Sequence, residues 1–320
     1  MEEHRAEEVQ MRTRMTRLGS LLAVGVLVAA CSAGASATPT NEPTGTPGAT
    51  SSSSASASAS PEACAPENLK LVAAGKLTVG TDNPAYPPWY GGDEKAPWKI
   101  SDPYSQKGYE SAFVYALAEQ LGLTDDQVTW VYVPFNNLIQ PGAKTFDFDV
   151  NQVSYSAERA KVMDFSDSYY DVNQAVVALK TNAIANAKSV ADLKAFRLGA
   201  AVGTTSYAYI TDTIQPTAKP RVYDTNDAAV KGLQAKQIDG IVVDLPTAFY
   251  MRDAQLTGGT IVGSLPTAGT QEYFGAVFQK GNPLVACVND AIGALRDDGT
   301  LDQLNQEWIV SQGSAPELQP

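Results

Sequence analysis

The sequence predicts an α/β protein of two lobes, each a mostly parallel sheet flanked by helices, joined by a two-stranded hinge. Three observations carry this. Strand-like runs at 76–81, 128–133 and 148–153 alternate with helical periods at 109–121 and 135–139, the order that builds parallel sheets with helical crossovers. A second strand and helix cycle, from about residue 189 to 250, is complete on its own. Extended runs at 173–180 and 271–279 flank it. The chain therefore crosses twice between the two parts, and two crossings make a hinge.

Residues 1–10 carry Glu2, Glu3, Glu7 and Glu8, the wrong charge for an export signal. From Met11 a basic head (Arg12, Arg14, Arg17) leads into the apolar run 21–30, so translation is expected to start at Met11 or Met15. The run is shorter than the roughly 20 apolar residues a membrane span needs. It ends in Val28-Ala29-Ala30-Cys31, which resembles a bacterial lipobox. Residues 1–31 are thus expected to be a signal peptide whose Cys31 is lipidated and holds the protein on the outer face of the cytoplasmic membrane. A Ser/Ala/Thr/Pro linker at 32–66, including SSSSASASAS, cannot bury a core and is expected to act as a disordered tether.

Beyond the linker, KLTVGT (76–81) reads as a strand followed by the aromatic and proline-rich loop DNPAYPPWY. Phe113, Leu117 and Leu121 recur at helical spacing and Gly122 ends that helix. Past FDFDVNQVSYSAERAKVMDFSDS, Ser189 and Asp192 look like a capping box, 197–202 like a strand, and Gly203-Thr204-Thr205-Ser206 like a helix entry. A helix is expected at 226–236, a buried strand at 240–243 (GIVV), an amphipathic helix at 283–297, and another helix capped by Thr300. The domains expected are 67–177 for the first part of lobe 1, 178–272 for lobe 2, 273–312 for the end of lobe 1, and 313–320 as a tail.

Composition limits the chemistry. The 320 residues are 44% hydrophobic and 18% charged, with a formal net charge of −12 that removal of residues 1–30 leaves unchanged. The basic residues are scattered, which argues against a nucleic-acid partner. His4 is the only histidine and lies in the expected signal, so histidine-based triads and metal sites have no histidine to use. Cys31, Cys64 and Cys287 are too few and too scattered for a metal cluster. No cofactor or metal is expected.

Arg159, in the first turn of a short helix that Ser156 can cap, gains nothing from the helix dipole. It is either a carboxylate-binding fork beside Ser154 or a solvated surface arginine. The Gly203-Thr204-Thr205-Ser206 stretch is an anion site or an ordinary glycine turn with a hydroxyl cap. Asp244, at the end of a buried strand, is an ammonium partner, an N-cap ahead of Pro246, or both. Tyr86, Trp89 and Phe135 sit in post-strand loops where ligands of open α/β sheets bind, although aromatics there are most often core.

In this order VGTDNPAYPPW, GYESAFVYALAEQLG, VSYSAERAKVMDFSDSYY, KSVADLKAFRLGAAVGTTSYAY, IDGIVVDLPTA and DGTLDQLNQEW resemble the family 3 solute-binding proteins of ABC importers, amino-acid-binding type. The resemblance implies a type II periplasmic-binding-protein-like fold. It also implies an extracellular, monomeric receptor, not an enzyme, whose partners are an amino acid and the permease and ATPase subunits of an importer. Arg159, Ser154 and the backbone around Thr205, with Gly203 and Thr204, would hold the α-carboxylate. Asp244 and the backbone near Gln152 would take the α-ammonium, with Tyr86, Phe135 and Trp89 around the side chain. Asn151 and Gln152 depart from the family's smaller residues and point to a polar or acidic ligand; a role for Asp82 with a cationic side chain is doubtful on spacing. Export favours a Cys64–Cys287 disulfide, the alternative being two free thiols. A rival reading is a prephenate or arogenate dehydratase on the same fold.

Overall fold

The computed structural model describes residues 60–320; the expected signal, Cys31 and most of the linker lie outside them. In lobe 1, β1 (Leu77–Thr81), β2 (Val128–Tyr132), β3 (Phe148–Asp149), β4 (Met163–Phe165) and β12 (Val277–Gln279) form a sheet of order β2-β1-β3-β12-β4. In lobe 2, β6 (Gln174–Leu179), β7 (Leu198–Ala201), β8 (Arg221–Tyr223), β9 (Gly240–Asp244) and β10 (Gly259–Ser264) are ordered β10-β6-β9-β7-β8. Between the sheets, β5 (Tyr170–Asp171) pairs antiparallel with β11 (Tyr273–Phe274). This pair is the two-stranded hinge.

The expectation of mostly parallel sheets needs correction. Pairs β1–β2, β1–β3, β7–β8 and β7–β9 are parallel, whereas β12 runs antiparallel to β3 and β4, and β6 antiparallel to β9 and β10. The reason is topological. The strands β6 and β12 arrive straight from the hinge, without a helical crossover, and insert in mid-sheet against the local direction.

Burial explains why these strands read as apolar runs. Along β6 and β9, Ala175, Val177, Ile241 and Val243 face one apolar cluster, and Val176, Ala178 and Val242 face another. Alternate side chains point to opposite faces, so a sheet covered on both sides needs apolar residues at every position. In lobe 1, α1 (Tyr109–Gln120) and α7 (Leu284–Asp297) pack over Leu77, Val79 and Phe148, while α2 (Phe135–Leu138) lies near a smaller cluster of Leu138, Val153 and Met163. Gly122 takes a φ of +73° after α1, the left-handed stop its position predicts.

Lobe 2 carries α3 (Val190–Leu193), α4 (Thr205–Tyr209), α5 (Asn226–Gln234) and α6 (Leu245–Tyr250). The Ser189 capping box is present, with Asp192 returning a bond to the Ser189 N–H. In α8 (Thr300–Leu304), however, the N-cap is Gly299, and Thr300 is the first helical residue, its N–H donated to Asp298. A glycine in the left-handed region has taken the position expected of the threonine.

Both ends of the described chain are tied down. Cys64 is disulfide-bonded to Cys287 on α7, and residues 66–68 form a 3-10 turn. The last residues cross back from lobe 1 to lobe 2. Ser264 N–H donates to Pro316 O at 2.7 Å, Leu318 N–H to Ser264 O at 2.9 Å, and Val190 N–H to Gln319 O at 2.8 Å. Leu318 is buried among Val262, Leu265 and Ile214.

Candidate functional site

The carboxyl ends of β1 and β9 open toward a cleft of about 290 Å3 between the lobes. Lobe 1 contributes Asp82, Tyr86, Trp89, Phe135, Asn151, Gln152, Ser154 and Arg159, and lobe 2 contributes Thr204, Thr205, Asp227, Asp244 and Tyr250. Of the residues expected at the site, only Gly203 is not among those lining it; its carbonyl instead receives Arg159.

Arg159 opens a 3-10 turn whose N-cap is Glu158, not the expected Ser156, although Ser156 Oγ still accepts the Arg159 N–H at 3.2 Å. The guanidinium lies over the Phe135 ring, 5.7 Å from its centroid. Its Nη1 donates to Ser154 O at 2.5 Å and its Nη2 to Gly203 O at 2.7 Å, reaching from lobe 1 to lobe 2. Burial pulls its pKa down to about 10, with the Glu272 charge opposing the shift, so it stays cationic near neutral pH. Two of five donors are used, and the rest can serve an anion in the cleft.

Asp244 has two roles in one carboxylate. As the N-cap of α6 it accepts the Thr247 N–H at 2.9 Å, and it also lines the cleft. Burial raises its pKa to about 6. An ammonium beside it would reverse that shift, because an opposite charge favours the ionised form.

The turn between β3 and β4 is held from below. Gln152 sits at φ +50°, a left-handed conformation costly for a side-chain-bearing residue. Buried Glu110, on α1, accepts the Gln152 N–H at 2.8 Å, the Gln152 Nε2–H at 2.5 Å and the Tyr169 hydroxyl at 2.5 Å. Gln152 therefore donates its amide away from the cleft. Asn151, at 7% exposure, leaves Nδ2 without a hydrogen-bond partner among the described residues. A buried amide donor facing a cleft is a contact for a ligand acceptor.

Several bonds cross the cleft. Tyr86 donates its hydroxyl to Asp227 at 2.6 Å, Trp89 Nε1–H to Thr247 Oγ1 at 3.1 Å, and Asn136 Nδ2–H to Asp224 O at 3.4 Å. These contacts define a closed pose. The Trp89 ring belongs to the lobe 1 core, edge-on to Tyr109, Tyr170 and Phe274, and only its N–H serves the interface. Tyr86 instead packs against Tyr250 across the cleft, with ring centroids 5.4 Å apart.

Sequence reasoning missed Asp227, Tyr250, Gln174 and Glu272. Asp227 carried a faint signal, an acid in the first turn of the helix expected at 226–236. Glu272 carried none. It accepts the Ser154 and Thr205 hydroxyls at 2.5 Å each, so those two protons point at a resident carboxylate. The distal part of the cleft is acidic: Asp82 accepts the Asn83 and Phe135 N–H groups and has its pKa raised by burial, and Asp224 and Asp227 lie nearby. Among the described residues, Arg159 is the only basic one lining the cleft.

The family model for bacterial extracellular solute-binding proteins, family 3, matches residues 77–311. The chain is 29% identical over 243 residues to the L-cystine-binding protein TcyJ of Escherichia coli strain K12, covering 75% of this chain and 85% of that protein. It is 30% identical over 211 residues to ABC transporter arginine-binding protein 1 of the same organism, covering 63% of this chain and 81% of that protein. Among solved structures it is similar to an ancestral arginine-binding protein bound to glutamine, with 27% identity and a TM-score of 0.60, covering 74% of this chain and 99% of that one. With two lobes, a two-stranded hinge and a cleft that draws on both, the chain belongs to the bacterial extracellular solute-binding proteins, family 3.

Proposed function

We propose that this protein captures one amino acid between its lobes and delivers it to an ABC importer, held at the outer face of the cytoplasmic membrane by a lipid on Cys31. One observation carries the reading: Arg159 of lobe 1 and Asp244 of lobe 2, the two charges a zwitterion needs, line the same cleft. On closure both ligand charges lose water, so each requires a partner. Arg159 and the backbone near Thr205 serve the α-carboxylate, and Asp244 serves the α-ammonium. A volume of about 290 Å3 lies just below the roughly 300–1,000 Å3 typical of drug-sized ligand sites, which suits a single amino acid.

The ligand's side chain faces Asp82, Asp227, Tyr86, Phe135 and Tyr250. Two carboxylates among aromatic rings, with no second base among the described residues of the cleft, favour a cationic side chain and repel an acidic one. Of the polar or acidic ligands that Asn151 and Gln152 pointed to, the acidic ones are therefore not proposed. Arginine-binding relatives support the same direction. A thermal-shift screen of arginine, lysine, glutamine, cystine and glutamate tests it, since a ligand bound only by the native state raises the melting temperature. Arginine or lysine should give the largest shift and glutamate none; a dominant shift with glutamate would overturn the side-chain assignment.

A further inference from the structure

We propose that Glu272 is a latch for the closed state, a positioning residue that acts through Ser154 and Thr205 and does not touch the ligand. It lies on the second chain crossing, one residue before β11. Its Oε1 accepts the Ser154 hydroxyl of lobe 1 and the Thr205 hydroxyl of lobe 2, each at 2.5 Å, and those hydroxyl oxygens are themselves 3.2 Å apart. Gln174 of lobe 2 donates Nε2–H to both carboxylate oxygens at 3.0 and 3.1 Å, and its own carbonyl accepts the Ser206 hydroxyl at 2.7 Å. One carboxylate thus gathers donors from both lobes. Bonds to an ionised acceptor are about twice as strong as neutral ones.

The geometry also points to the bonds that opening must break. Ser154 moves with β11, because Tyr155 N–H donates to Tyr273 O at 3.0 Å and Gly275 N–H to Val153 O at 3.2 Å. Thr205 is the first residue of α4, in lobe 2. Rotation about the hinge therefore parts Glu272 from its lobe 2 donors, Thr205 and Gln174, and leaves the Ser154 contact intact. The latch forms only on closure, and it brings Ser154 and Thr205 together at the place proposed for the α-carboxylate. Neither side chain can then donate its proton to the ligand, so Arg159 and backbone N–H groups carry that role.

This inference rests on the cleft reading, and the test separates the two. Spin labels on the outer faces of the lobes report the distance distribution of the full chain without ligand, in the parent, Glu272→Gln, Thr205→Val and the double variant. Stopped-flow fluorescence then gives association and dissociation rates with L-arginine as the probe. Each single variant should shift the ligand-free distances toward open and speed dissociation about tenfold, the scale of one lost bond to a charged group. Association should change far less, and the double variant should be no worse than the single ones. Unchanged distances, or losses that add in the double variant, would overturn the latch. Should Glu272→Gln fail to fold, Thr205→Val reads the same contact. If L-arginine does not bind, the distance measurement still decides the latch, and the ligand assignment alone falls.

Discussion

Arg159 combines burial, a cation–π contact and two carbonyl partners, and it is the group whose loss the account can least tolerate. Replacing it with alanine removes the charge that meets a desolvated carboxylate, so affinity should fall by about 2–5 kcal/mol, read by calorimetry. Asp244 leads to a pH prediction. Its pKa is near 6 because of burial, and an ammonium ligand binds only its ionised form. Affinity should therefore be flat between pH 7 and 8, where the ligand keeps its ammonium, and fall about tenfold per unit below pH 6, a slope that Asp244→Asn removes along with most of the affinity. At this scale the sequence was informative where one residue did two jobs. Asp244 was legible as a cap because Pro246 follows it, and the cap position is what aims it at the cleft. Glu272 was illegible because its donors lie 67 to 118 residues away; no local spacing encodes such a meeting.

The turn between β3 and β4 shows what one element needs from another. Glu110 holds it by accepting three donors, and burial raises the Glu110 pKa from 4.5 to about 7. A carboxyl group whose folded pKa is raised contributes stability that is full below its unfolded pKa and lost as pH rises through the folded one. The ligand-free protein should therefore melt higher at pH 5.5 than at pH 8, opposite in sign to the affinity, and Glu110→Gln should flatten that dependence in part while loosening the turn. Regular elements were readable from periodicity: α1 with its Gly122 stop, α5, α7, β1, β7 and β9. The strand expected at 148–153 shortens to Phe148–Asp149 because Glu110 and the left-handed Gln152 turn the chain early. Edge strands β8 and β10 were not read, since Arg221 and Gly263 interrupt any apolar pattern.

At the scale of the whole molecule, three chain crossings join the lobes among the described residues: the two strands of the hinge and the C-terminal residues that dock beside β10. The third was read as a bare tail, because Pro316, Leu318 and Pro320 give no strand pattern and only the lobe 2 edge supplies their partners. Truncation after Gln312 removes a buried leucine and several backbone bonds, and should cost about 2–4 kcal/mol of stability with a matching drop in melting temperature. The disulfide closes a separation of 223 residues, worth up to about 5 kcal/mol in the chain-entropy model. The two-lobed plan itself was legible, because a second α/β cycle between two extended runs has few other solutions; the sheets' mixed direction was not, because pairing direction depends on how the chain returns from the hinge.

The central claim is that one cleft neutralises both charges of an amino acid, the carboxylate from lobe 1 and the ammonium from lobe 2. Calorimetry of the parent protein with L-arginine, with its decarboxylated analogue agmatine, and with its deaminated analogue tests this most directly. Each analogue should bind at least a hundredfold more weakly than arginine, each loss being about 3 kcal/mol or more, as for one partner of a buried charge pair. Equal affinity for arginine and either analogue would contradict it.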